Sequence, residues 1–293
     1  MSAPVWQRRR AAAVDVWRQF RANRGALFGT AFIALLVLFS LLAPLLIDQR
    51  GLEVVTATGG SLEPPSGEYW LGTDESGRSV MLLTLWGARV SLLVGFAATL
   101  LSVVVGTLVG VVSAHFGGWI SAVLMRITDF FLVLPALVLA AVLMAVLPTS
   151  MWTVIMAIGV TSWPTTARLV RAQTLSVESR PYIERSKALG GGHAHVIGKH
   201  VLPSVLPLVF ANTTLVVGGS IIAESTLAFL GMSGPEISWG SMLDRANQSG
   251  AVTAGAWWYL LPPGIAIVLV VLSFTLVGRG LETVLNPRLK GER

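Results

Sequence analysis

The sequence predicts an all-α, polytopic membrane bundle of about six transmembrane helices with both termini in the cytoplasm. Three observations predict it. The 293 residues are 54% hydrophobic and only 12% charged, where soluble domains carry about 25% charge. Five apolar runs, Leu27–Ile47, Val90–Val112, Phe130–Leu147, Val201–Ala223 and Trp257–Gly278, contain no charged residue. About 20 helical residues cross a hydrocarbon core of about 30 Å, so each run is long enough to span. The cationic residues also fall on alternate sides of these runs. Arg8, Arg9, Arg10, Arg18, Arg21 and Arg24 precede the first. Arg168, Arg171, Arg180, Arg185, Lys187 and Lys199 cluster between the fourth and fifth spans, and Arg279, Arg288, Lys290 and Arg293 end the chain. The opposite side has Arg50, Arg78, Arg89 and Arg245. Positive residues mark the cytoplasmic side, which places both termini inside and makes the span count even.

The elements follow in order. Residues 1–26 form a basic cytoplasmic segment, with Trp6 and Trp17 suited to a membrane interface. Residues 27–47 form the first transmembrane helix, whose 21 apolar residues exceed a signal-peptide core and lack a following small-x-small cleavage site. Residues 48–89 form an extracytoplasmic loop with six acids and Pro64-Pro65. Residues 90–281 form a core of five transmembrane helices, beginning with the run at Val90. A turn at His115-Phe116-Gly117-Gly118 leads into the third span, and Pro148 marks an outer turn before the fourth. That fourth span, Met151–Ala167, is shorter and interrupted by Thr161, Ser162 and Pro164, with Arg168 following directly. Within the core, 173–200 is a cytoplasmic loop and 231–256 an outer loop with few strong helix formers. Residues 282–293 are a cytoplasmic tail. Gly106 and Gly110, four apart, allow close helix approach, and packing within the bundle is the expected use.

The charge of +6 is a topology signal rather than a nucleic-acid footprint, and the expected surroundings are membrane lipid. With no cysteine, disulfides and thiolate metal sites are excluded. His115, His193, His195 and His200 lack a convincing further ligand beyond Glu184, so no metal site is expected. A phosphate-binding Gly-x-x-x-x-Gly-Lys-Ser/Thr loop, a Gly-x-Ser-x-Gly elbow and a His-Glu-x-x-His helix are all absent from the sequence. The chain is therefore not expected to be an enzyme. It carries no catalytic constellation, and ATP-driven work would need a partner. Six spans without an internal repeat look like half a pathway, since secondary transporters commonly pair two related halves. Charges at membrane depth are candidates for function. Asp129 lies three residues after Arg126 and is expected to pair with it along one helix, with a gate as the alternative. Glu224, late in the fifth span, either lines the pathway or ties down the outer loop.

The strongest signal lies in the cytoplasmic loop. Pro181 suits a helix start and Gly190 its end. Gly190–Gly192 allows a reversal before a second short helix near His193–His200, and Pro203 can open the fifth span without losing a needed donor. Such a helix–turn–helix exceeds what joining neighbouring spans requires.

Glu184, Ala188, Leu189 and Gly190, then nine residues, then His200-x-Leu202-Pro203, resemble the signature loop of ABC-importer permeases. The rest resembles the dipeptide/oligopeptide subfamily, in particular its C-type subunit. The outer-loop motif Leu71-Gly72-Thr73-Asp74-Glu75-Ser76-Gly77-Arg78 carries this likeness. So do Ala88-Arg-Val-Ser-Leu92, Gly117-Gly-Trp119, Phe229-Leu-Gly231, Ser238-Trp-Gly240 and Pro287-Arg-Leu289, in order over roughly residues 20–290. Arg185 and Ser186 stand where the signature usually has alanines. Ser79 stands where aspartate is usual, and Asn286 is a further departure.

The resemblance implies a type I ABC-importer permease. Its partners would be a homologous second permease subunit, two cytoplasmic ATPase subunits or one fused, and an extracytoplasmic solute-binding protein. ATP and Mg would be held by the ATPases, and no cofactor by this chain. Glu184 would face a basic residue of the ATPase, with Gly190 shaping the docking tip. Short peptides are the implied cargo, with nickel, haem-like compounds or glutathione carried by other relatives. A secondary transporter is the rival reading, but only Asp129 and Glu224 offer the embedded charge that ion coupling needs.

Overall fold

The computed structural model describes Val14 and residues 17–285. Arg8 to Arg10, Trp6, Asn286 and the Pro287-Arg-Leu289 motif lie outside the described residues. Within them the chain is helical, with one isolated bridge between Thr73 and Ser79 in the outer loop. Helix α1, Arg24–Leu46, starts at Asn23, whose side chain accepts a hydrogen bond from the Ala26 amide. Helix α2, Val80–Phe116, runs 37 residues, about 55 Å at 1.5 Å per residue. It begins well before the expected boundary at Val90. Ser79 caps it by accepting from the Leu82 amide, and serine and aspartate are comparable at this position. The departure at residue 79 therefore preserves the capping chemistry.

Gly117 and Gly118, both at positive φ, make the expected turn into α3, Gly118–Val133. The run Phe130–Leu147 is not one straight helix. It breaks at Leu134-Pro135 and resumes as α4, Ala136–Val146, at an angle of 87°. The physical reason is Pro135: the residue before proline is driven out of the helical region, and Leu134 is extended at φ −81°, ψ 131°. Helix α5, Met151–Glu178, continues past the expected end at Ala167. After α6, Pro181–Ala188, and α7, His193–Val196, the chain forms a π turn at Ile197–Val201 that runs directly into α8, Leu202–Phe229. The outer loop contains a helix that its composition did not predict, α9, Trp239–Gln248. Ser238 accepts from the Ser241 amide and Ser241 accepts from the Ser238 amide, a reciprocal cap that stabilises the start. Helix α10, Trp257–Leu285, is the last of the described elements.

Among the described residues, four helical stretches are long and apolar enough to cross a membrane: Arg24–Leu46, Val80–Phe116, His193–Phe229 and Trp257–Val284. Counting the bent α3–α4 pair as one span gives five. Helix α5 is long enough but less apolar, because Thr153, Thr161, Ser162, Thr165, Thr166, Arg168 and Arg171 interrupt it. Those polar residues are partly sheltered by the most extensive helix pairing in the molecule, α2 against α5. A Cβ on Gly106 would come within 2.7 Å of the Trp163 carbonyl oxygen and of Thr166 Cβ. One on Gly110 would come within 2.7 Å of the Ala167 carbonyl oxygen. These glycines let α2 and α5 meet backbone to backbone, so their use is packing inside the chain.

Candidate coupling loop and cavity

Helix α6 begins with Pro181 in its first turn, where the missing N–H would have had no helical partner. It ends in a Schellman cap. Gly190, at φ +86°, donates to the Lys187 carbonyl and Gly191 donates to the Ser186 carbonyl. Nothing lies within 4 Å of where a Gly190 Cβ would stand, so its requirement is conformational and not steric. The following helix does not end before Pro203. Within the π turn the Leu202 amide bonds back to the Ile197 carbonyl. That wider register relaxes the turn whose carbonyl a proline ring would otherwise crowd. The loop thus continues as one rod into α8.

Two sets of contacts make the projection rigid. Ile183, Val196 and Val201 are buried with Val170 and Val177 of α5 and Val103 and Val111 of α2. Polar contacts clamp the rim: Lys187 pairs with Glu178 at 3.1 Å, Glu178 with His115 Nδ1, and His115 Nε2 with His193 Nδ1 at 2.8 Å. His200 lies between the rings of Tyr182 and His195. The histidines thus act as clamps, and among the described residues no group of His, Cys, Asp and Glu has the arrangement of a metal site. Glu184, Ala188, Leu189 and Gly190 are exposed at the tip. Leu189 is 88% exposed. Glu184 makes no ion pair or side-chain hydrogen bond among the described residues. The structure therefore brings Glu184 to Gly190 together on the tip and places His200, Leu202 and Pro203 at its root. The clamp was not foreseen, since His115 is distant in sequence from the loop.

Asp129 does not pair with Arg126. Its carboxylate accepts from Arg168 at 2.6 Å, tying α3 to α5. Both groups are about half exposed, so in water the pair would contribute only about 0.2–1 kcal/mol. Glu224 is buried. Its carboxylate accepts from Ser91 and Ser225 at 3.1 and 3.2 Å, and Ser91 Oγ in turn accepts from the Trp239 amide. Trp239 is buried too, and its indole N–H donates to the Thr84 carbonyl. These hydrogen bonds join α8 to α2 and, through Ser91, to α9. Between α4, α5 and α8 lies a cavity of about 410 Å³. Its walls are mainly apolar, with Leu137, Ile158 and Ile222 beside small Ala140 and Gly219, and carry the hydroxyls of Thr161, Ser162, Thr165 and Thr226; neither Glu224 nor Asp129 lines it.

The outer-loop motif folds around a buried ion pair. Asp74 accepts from the Arg78 amide at 2.8 Å and from Arg78 Nε at 2.7 Å, with a second guanidinium nitrogen at 2.6 Å. Arg78 also donates to the Leu52 carbonyl at 3.3 Å, pulling the end of the first-span connection onto the loop. Thr73 Oγ1 donates to the Gly60 carbonyl and accepts from the Glu63 amide. Gly72 and Gly77 both adopt positive φ. All five predicted motif residues, Gly72, Thr73, Asp74, Gly77 and Arg78, thus serve one compact structural knot.

Residues 102–291 match the family described as the binding-protein-dependent transport system inner membrane component. Residues 13–65 match the N-terminal transmembrane domain of oligopeptide transport permease C. The dipeptide transport system permease protein DppC of Alkalihalophilus pseudofirmus is 35% identical over 284 residues, covering 95% of this chain and 92% of that protein. DppC of Bacillus subtilis is 34% identical over 278 residues, covering 94% of this chain and 86% of the relative. The oligopeptide transport system permease protein OppC of Bacillus subtilis is 33% identical over 280 residues, covering 94% and 90%.

Proposed function

The chain belongs to the family of inner-membrane components of binding-protein-dependent transport systems, and we propose that it is the C-type permease subunit of an ATP-driven importer of dipeptides or oligopeptides. The observation that carries the coupling part is the α6–α7 projection: a rigid tip anchored on α2, α5 and α8, with an unpaired Glu184 and an exposed Leu189 at its end. An exposed, unpaired carboxylate beside an apolar side chain suits docking into a cleft of a soluble protein. In this reading the occupant is one of two cytoplasmic ATPases, or one half of a fused ATPase. ATP and Mg belong to those subunits, and this chain holds no cofactor.

Movement of the loop would pass to α5 and α8, which it abuts and which line the 410 Å³ cavity. That cavity supplies half of the pathway, and a homologous second permease supplies the rest. Its small, hydroxyl-bearing and apolar walls suit peptides of varied sequence, because they offer backbone hydrogen bonding without demanding a particular side-chain charge. Cargo arrives from an extracytoplasmic solute-binding protein. Six spans with both termini inside, α5 being the sixth, complete the arrangement, and Asp129 and Glu224 brace it from either end.

Reconstitution tests this directly. Vesicles holding the chain alone should neither hydrolyse ATP nor accumulate a labelled tripeptide. Vesicles holding it with the second permease, the ATPases and the loaded binding protein should accumulate the peptide when ATP is supplied on the ATPase side. Ion-gradient-driven uptake by the chain alone would replace this reading with secondary transport.

A further inference from the structure

A second cleft, of about 650 Å³, lies on the flank of α1 and α2 at the end remote from the coupling loop. We propose that it binds one phospholipid of the adjoining leaflet, with a zwitterionic phosphoethanolamine headgroup at Arg89. Arg89 is the one Arg, Lys, Asp or Glu residue of α2, and a guanidinium on an apolar helix settles at the level of the lipid phosphates. It rests over the Trp86 ring at 4.6 Å and has no acidic partner among the described residues. A cation at an apolar boundary without a counter-ion is matched by an anionic phosphate.

The cleft below is apolar and open to the side. Leu41, Leu93 and Phe96 line it and are substantially exposed in the chain, giving a surface along which an acyl chain can lie. A separate observation points into the same cleft. Ser40, only 8% exposed, lines it, and its hydroxyl has no hydrogen-bond partner. A helical serine ordinarily satisfies itself on a carbonyl one turn back, and a buried hydroxyl left unpaired is costly. In the chain alone that hydroxyl is sealed from the cleft, so an ester carbonyl of a glycerolipid reaches it once the Ser40 side chain rotates toward the bound lipid. Glu236, also lining the cleft and without a cationic partner among the described residues, selects the headgroup. A purely anionic lipid would set a second negative charge beside it, whereas an ammonium group offsets it.

The test uses the full chain in the complex it forms, extracted in mild detergent from membranes containing phosphatidylethanolamine and phosphatidylglycerol. Bound lipid is read by native mass spectrometry through stepwise delipidation. The wild type should retain one phosphatidylethanolamine per copy of this chain. Arg89→Ala should lower retention at least ten-fold, and Glu236→Gln should bring phosphatidylglycerol up to parity. Leu93→Trp, which fills the cleft while keeping Arg89, should also expel the lipid, and it decides the matter if Arg89→Ala fails to accumulate. Equal retention in the wild type and in Leu93→Trp would overturn the proposal. So would a wild-type preference for phosphatidylglycerol. Quantitative cross-linking of a cysteine at position 93 to another subunit, with no lipid retained, would show that a protein covers the cleft and would equally overturn it.

Discussion

Arg78→Ala is expected to destabilise the outer face by about 3–5 kcal/mol, the usual consequence of stripping one partner from a buried ion pair. Asp74 is fully buried and Arg78 nearly so. Removing the guanidinium leaves the Asp74 carboxylate with only the backbone amides of Ser76 and Arg78 as donors. It also frees the Leu52 carbonyl, and with it the connection from α1. The loop at 59–63 and the start of α2 hang on the same knot, since Leu62 donates to the Asp74 carbonyl and Val80 to the Gly72 carbonyl. The expected result is a lower yield of monodisperse protein in detergent and faster proteolysis within residues 48–79. Arg78→Lys, which keeps the charge but not the two-pronged geometry, should fall between. A wild-type thermal midpoint for Arg78→Ala would mean that the pair sits in water and contributes little.

Glu184→Ala and Gly190→Leu are expected to leave accumulation intact and to reduce ATP-dependent uptake at least ten-fold. A hydrogen bond to a charged group is worth about 1.5–3 kcal/mol, and each 1.4 kcal/mol is ten-fold in binding. Glu184 makes no ion pair or side-chain hydrogen bond among the described residues, so its loss should fall mainly on the docked complex. Leucine at 190 meets no neighbour, yet it must adopt a left-handed conformation costing about 1–2 kcal/mol. The tip would then unwind or re-aim Leu189. Both losses are small beside the insertion of several apolar spans, which is why the protein should still reach the membrane. Uptake, recovery of the ATPases and hydrolysis stimulated by the loaded binding protein should fall together when measured in one preparation. Wild-type values for all three would reduce the projection to a connector.

Those two regions differ in how readily the sequence announced them. The shape of the α6–α7 projection was legible because its signals are local: Pro181 at a helix start, Gly190 at its end, and a loop too long for a simple turn. A close helix approach at Gly106 and Gly110 was legible for the same reason, but that α5 is the partner was not. The break at Pro135 carried a local signal too, but an uninterrupted apolar run masked it. Helix α9 was announced by Ser238 and Ser241, a cap that an otherwise glycine-rich loop concealed. Asp129 found Arg168 instead of Arg126 because the choice rests on how α3 packs against α5, which no spacing along one helix encodes. The Glu224–Ser91–Trp239 tie and the links from His115 to Glu178 and His193 likewise join residues far apart in sequence. The interrupted composition of α5 reflects its place against α2 and along the cavity.

The central claim is that the α6–α7 tip docks on a cytoplasmic ATPase, and the most direct measurement is cross-linking from Leu189→Cys. The natural chain has no cysteine, so the label is unique. In membranes containing the whole importer, a short bifunctional thiol reagent should join position 189 to an ATPase subunit carrying a cysteine in its docking cleft. In intact cells the same cysteine should resist an impermeant reagent added outside. Labelling from outside, or no ATPase adduct at any spacer length while the complex remains assembled, would contradict the account.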